Sequence, residues 1–199
     1  NARPSRRRRV SNEDITKRFP PGSEIVVQVT KGPIGTKGPR VTANLSLPGR
    51  YLVMMPGTRL RGVSRKIGDA KERQRLKKIL DRLPLPDDAG LIVRTVGAGA
   101  SKRAFVRDLR NLWESWNELQ DNIKNLKPPC CVYQEPDLVE RVVRDWLTED
   151  IDRVTIDDGD AYDRVRAVAG KISRRAKNVI SHYDGQLSIF EHYGIERQL

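Results

Sequence analysis

Apolar residues recur with two different periods along this chain, and the changes of period mark its elements. Between Ser23 and Leu47 the period is two: Ile25, Val27 and Val29 alternate with Val26, Gln28 and Thr30, until Gly32-Pro33 breaks the run. Gly35-Thr36-Lys37-Gly38 has hairpin turn chemistry, so a second strand is expected from Arg40 to Leu47. Gly49 to Gly68 reads as strand, turn, strand, with Tyr51, Val53 and Met55 on one face and Leu52 and Met54 on the other. The period then lengthens. Asp69 to Leu83 reads as a helix with Leu76, Ile79, Leu80 and Leu83 on one side and a basic opposite side, ended by Pro84 and Pro86. Leu91, Ile92 and Val93 suit a short buried strand, and Ser101 to Leu126 a long helix carrying Phe105, Leu109, Leu112, Trp116, Leu119 and Ile123 at helical spacing. Trp113 and Trp116 read as a packing seam of that helix.

Past Lys127-Pro128-Pro129, Asp137 and Glu140 stand at capping-box spacing. They open a helix whose apolar face is Leu138, Val139, Val142, Val143, Trp146 and Leu147. Arg153 to Asp157 then reads as a strand, Ala161 to Ala169 as a helix and Asn178 to Tyr183 as a strand. The whole predicts a mixed fold, part α+β and part α/β.

Charge narrows the partner. The chain has 199 residues, with 38 Lys and Arg against 26 Asp and Glu, a formal charge of +12 and a pI near 10.0. That excess favours a polyanion, nucleic acid before membrane, because no amphipathic basic helix adjoins an apolar anchor. No apolar run approaches the roughly 20 residues of a membrane span, and no signal peptide opens the sequence. Cys130 and Cys131 are adjacent, without metal spacing, and fit reduced packing residues of a cytoplasmic protein. Arg6 to Arg9 are four consecutive arginines, read as an extended loop for sequence-independent RNA contact or as a solvated spacer.

Candidate chemistry concentrates after Val93. A strand ending there delivers Arg94 and Thr95; Gly97 and Gly99 follow as a tight turn with exposed amides, and Ser101 is a good N-cap. Guanidinium, hydroxyl, glycine turn and helix N-terminus together suit a phosphate. The alternative is structural: the glycines close a turn and Arg94 pairs with a surface carboxylate. Asp157, Asp158 and Asp160 are candidates for metal binding in a self-sufficient nuclease, but Gly159 among them favours a strand-to-helix turn with an Asp cap. His182 and His192 lack ligand spacing and read as packing or surface residues.

Four blocks extend this reading: Lys37-Gly38-Pro39-Arg40-Val41-Thr42, Ser46 through Val53, Gly62-Val63-Ser64-Arg65-Lys66-Ile67, and Gly90 to Thr95. In order and spacing they resemble the ribonuclease E/G family. The resemblance implies residues 1–44 as the end of an OB-fold RNA-binding barrel, represented by its closing hairpin. It implies residues 45–136 as a small 5′-sensor domain, and 137–199 as part of a ribonuclease H-like subdomain without catalysis of its own. In a 5′ sensor, Arg94 and Thr95 would grip the terminal phosphate of 5′-monophosphorylated single-stranded RNA. Gly49 would allow close backbone approach, Val53 would pack on the first base, Arg65 would stand near the same site and Lys37 near the RNA path. The family's magnesium site is expected in a separate nuclease domain after Leu199, so the segment alone is expected to cleave nothing, while the parent endoribonuclease processes RNA as a homo-oligomer. The competing expectation is a structural RNA-binding protein held by charge alone.

Overall fold

The computed structural model describes residues 12–85, 88–147 and 151–198, and the arginine run at Arg6 to Arg9 lies outside them. Helix α1 (Asn12–Arg18) precedes an antiparallel hairpin of β1 (Gln28–Lys31) and β2 (Arg40–Thr42), closed by a bridge between Ile34 and Lys37. The alternating residues that lead into this hairpin are open to solvent: Ile25 is 46% exposed, Val27 41% and Val29 59%. The strand expected from Arg40 to Leu47 is divided. Its beginning is β2, and its end is β3 (Leu47–Pro48), which joins a different sheet.

That second sheet carries the principal core. Its strands are β3, β4 (Leu52–Pro56), β5 (Arg61–Val63) and β6 (Ala89–Val93), in the order β3-β4-β6-β5. β4 and β5 follow each other in sequence without pairing, because β6 inserts between them, antiparallel to β4 and parallel to β5. The parallel pair needs a crossover, supplied by α2 (Ala70–Asp81). Asp69 caps α2 by accepting from the Lys71 amide at 2.9 Å. Residues opposite each other share a face, so Leu52, Met54, Leu91, Val93, Val63 and Leu47 turn to the helices and are buried, while Val53, Ile92 and Gly62 line up on the other side.

After β6 a 3₁₀ turn (Thr95–Gly97) leads into α3 (Lys102–Asn125), capped by the Ser101 hydroxyl accepting from the Ala104 amide. Phe105, Leu109, Leu112 and Leu119 of α3 complete the core, with Trp113 and Trp116 half-buried against it. Burying one such side chain contributes about 1.5–3 kcal/mol. Cys130 and Cys131 are exposed rather than packed, because the segment after α3 runs over the surface.

A second, smaller core follows. α4 (Leu138–Trp146) is capped by Asp137, which accepts from the Glu140 amide at 2.9 Å. Parallel strands β7 (Val154–Ile156) and β8 (Ile180–His182) are joined through α5 (Gly159–Ile172) and α6 (Arg174–Asn178), and α7 (Ile189–His192) is the last described element. Val143, Leu147, Val165, Ala169, Ala176 and Ile180 are buried together. Only part of the apolar face expected on α4 is covered: Val143 and Leu147 reach this core, whereas Leu138 is 67% and Trp146 74% exposed. The architecture is a mixed α and β fold, and no helix among the described residues is long and apolar enough to cross a membrane.

Candidate functional site

Because β5 and β6 are parallel, the loops leaving their C-terminal ends lie side by side, the usual position for a ligand beside such strands. One loop begins at Ser64 and the other at Arg94. The Ser64 amide donates to the Val93 carbonyl at 2.8 Å, and the hydroxyls of Ser64 and Thr95 stand 3.4 Å apart. Arg73 of α2 fixes the first loop by donating to the carbonyls of Ser64 (2.7 Å) and Ile67 (3.1 Å). This brings Arg65, which follows Ser64 in that loop, into the neighbourhood of Thr95, which is exposed.

Arg94 is held from two directions. Its backbone amide donates to Tyr51 O at 2.7 Å. Its Nη1 donates to Gly49 O at 2.5 Å and to Asp145 Oδ1 of α4 at 2.6 Å, with the two side chains of the ion pair about one-quarter exposed. Nε and Nη2 make no hydrogen bond among the described residues, and neither is a buried unpartnered atom. Burial works against the charge on Asp145, but the hydrogen bonds from Arg94 and Arg144 more than offset it and hold its carboxyl below the ordinary range. Arg144 grips both oxygens of Asp145, at 3.1 and 3.3 Å, and also donates to Pro48 O and Glu135.

The loop between β3 and β4 is built around a second carboxylate. Asp108 of α3 accepts from the amides of Arg50 (2.9 Å), Tyr51 (2.8 Å) and Leu52 (2.9 Å). Burial pushes its pKa up, and the three amides oppose that shift. A Cβ at Gly49 would stand 2.6 Å from one Asp108 oxygen and 2.8 Å from the other, so the group closely approaching this glycine is the protein's own carboxylate. Arg50 is buried; its Nη1 donates to Arg144 O at 2.6 Å and its Nη2 to Leu147 O, so it satisfies the C-terminal carbonyls of α4.

The glycine turn after Thr95 departs from the expectation of exposed amides. Glu72 of α2 accepts the Gly99 amide at 2.8 Å and pairs with Arg75, which in turn donates to Ala100 O. The Arg75 bond, with help from Gly99, holds the Glu72 carboxyl down at about 2. Gly99 has φ +76°, and a Cβ at Gly97 would meet Val93 at 2.8 Å and the Phe105 ring at 3.1 Å, so turn geometry and packing account for both glycines.

The structure therefore brings Gly49 and Arg94 together and sets Thr95 beside the Ser64 loop that carries Arg65. Val53 stands on the outer face opposite Ile92, and Lys37 lies in the separate β1–β2 hairpin. Sequence reading missed Asp108, Asp145, Arg144, Arg50, Ser64 and Glu72. Asp108 left a trace: it shares an apolar helix face with Phe105, Leu109 and Leu112, where an exposed acid is out of place. Asp158 caps α5 by accepting from the Ala161 amide at 2.7 Å, the structural alternative for that cluster. Among the described residues no group of three or more His, Cys, Asp or Glu is placed to hold a metal ion. His182 packs edge-on against Tyr162, and His192 against Tyr183 and Tyr193.

Known proteins are similar to this chain. A family model described as the Ribonuclease E/G family matches residues 46–199. Ribonuclease E of Haemophilus influenzae is 36% identical over 179 residues, covering 89% of this chain and 19% of that protein. Ribonuclease G of Escherichia coli K12 is 32% identical over 186 residues, covering 94% of this chain and 38% of that protein. Ribonuclease E of a Nostoc species is 38% identical over 152 residues, covering 76% and 22%. The chain thus spans between about a fifth and two fifths of these relatives' lengths, and over that span it belongs to the ribonuclease E/G family.

Proposed function

We propose that this chain is the RNA-recognition portion of a ribonuclease E/G-type endoribonuclease, and that Arg94 and Thr95 take the 5′-monophosphate of single-stranded RNA. The observation that carries the proposal is the way Arg94 is held. Gly49 O and Asp145 both engage Nη1, which fixes the guanidinium plane and leaves the Nε–Nη2 edge for a two-pronged bond to phosphate oxygens. Thr95, exposed beside the Ser64 hydroxyl, adds a donor, and Arg65 adds charge. Val53, on the open face of the sheet, is the proposed packing surface for the first base. Lys37 and the arginines Arg6 to Arg9 would contact the backbone further along, the hairpin forming the end of an OB-type barrel. Gly49 contributes through its carbonyl and through its accommodation of Asp108.

On this proposal magnesium and strand cleavage belong to another part of a homo-oligomeric, cytoplasmic parent protein, and this segment raises the concentration of selected RNA there. The test is a paired titration of the chain with one short RNA bearing a 5′-monophosphate or a 5′-hydroxyl. At least about a tenfold preference for the monophosphate is expected, abolished by Arg94→Ala, since a charge-assisted pair contributes about 1.5–3 kcal/mol. Equal affinity for both ends with a steep salt dependence would instead establish charge-driven binding.

A further inference from the structure

On the other side of the Arg50 loop, α3 faces the end of α5 and the turn into α6 across a cavity of about 390 Å³, within the size range of small-molecule sites. Its wall is dominated by cations: Arg103 and Arg107 from α3, Lys171 and Arg175 from the opposite side, and Arg50 at the base. Arg107 is engaged with Ile172 O. Arg103 and Lys171 have no carboxylate partner among the described residues. Asp108 is the one carboxylate on that wall among the described residues, and its oxygens are taken by backbone amides. Arg50 supplies a second observation. It is 6% exposed, and its Nε is a buried donor without a partner, an uncommon condition in a folded protein.

We propose that this cleft binds a compact polyphosphate anion, of pyrophosphate or nucleoside diphosphate type, between Arg103 and Lys171. A cavity of this size, open to solvent and crossed by cations from two elements, suits a small ligand with two adjacent phosphate groups. The site does not include Arg94 and stands or falls independently of 5′-end recognition.

The test is calorimetric titration of the full chain with pyrophosphate at low salt. One site per chain is expected. The double variant Arg103→Ser/Lys171→Ser should lose about a hundredfold in affinity, about tenfold per charge-assisted contact. Both side chains are exposed, so their truncation leaves the cores intact. Lys77→Ser/Lys78→Ser, which removes the same charge from exposed positions on α2, should leave pyrophosphate affinity within about twofold. Absence of pyrophosphate binding, or equal losses in the two double variants, would each overturn the proposal. So would a 5′-hydroxyl RNA that loses affinity in Arg103→Ser/Lys171→Ser when pyrophosphate does not bind, since the cleft would then be a track for RNA backbone. The monophosphate-to-hydroxyl preference of RNA is unchanged by Arg103→Ser/Lys171→Ser if the sites are separate.

Discussion

Gly49→Ala separates two roles for one glycine, and its cost follows from the structure. The added methyl would lie 2.6 Å from an Asp108 oxygen and 2.9 Å from its carboxyl carbon, against an ordinary contact of 3.4 Å or more. Asp108 therefore has to retreat by roughly 0.8 Å, the difference between 3.4 and 2.6 Å. It cannot do so freely, because it is 7% exposed and joined to three amides at 2.8–2.9 Å. Overpacking of this kind costs about 1–3 kcal/mol, and weakening one bond to a charged group about 1.5 kcal/mol more, giving about 2.5–4.5 kcal/mol in all. That is a large share of the roughly 5–15 kcal/mol by which domains are stable. Urea unfolding followed by circular dichroism measures it. In an Asp108→Ser background, where the shorter side chain leaves room, the same glycine substitution should cost under about 1 kcal/mol. Equal costs in both backgrounds would refute the packing argument, as would a Gly49→Ala protein of normal stability that has lost its 5′-monophosphate preference.

Three further outcomes follow from other contacts. Glu72 is held at about 2 against an ordinary 4.5, so its contribution is complete above about pH 4.5 and lost as pH falls through about 2. The urea midpoint should therefore decline over that window, and less so in Glu72→Gln; equal slopes would contradict the assignment. Gly99→Ala should cost about 1–2 kcal/mol through its left-handed backbone, whereas Gly38→Ala, with nothing within 4 Å and no such φ, should be nearly silent in the same unfolding assay. Arg94→Lys keeps the charge but loses the fork that joins Gly49 O, Asp145 and the proposed phosphate, so monophosphate preference should fall at least about tenfold, read by the paired RNA titration.

The helices were legible because their signals are local. Asp69, Ser101 and Asp137 are caps that can be read from neighbouring residues, and α2 and α3 lie within the expected spans of Asp69 to Leu83 and Ser101 to Leu126. α1, α6 and α7 had no counterpart in the periodicity. Sheet order was not legible, since nothing in Tyr51 to Gly68 signals that a strand some thirty residues later in sequence will insert between β4 and β5. The site divides the same way. Arg94 and Thr95 are conspicuous at a strand exit, but Asp145 and Asp108 are separated from their partners by 51 and by 56–58 residues, so only folding reveals which carboxylate they bring. Glycine signals are incomplete for a related reason. Gly49, Gly97 and Gly99 suggest room for a phosphate, whereas Asp108, Phe105 and Glu72 fill or bond the surroundings in the folded chain.

The bonds joining the two cores differ in their response to acid. Arg50, Arg107 and Arg144 join the cores through main-chain carbonyls of Leu147, Ile172 and Pro48, acceptors that do not titrate in the acid range, whereas Arg94 joins them through the carboxylate of Asp145. Protonating that one group would unlatch Arg94 while the main-chain fastenings stay shut, so the proposed phosphate-gripping arm has a release that does not require the molecule to come apart.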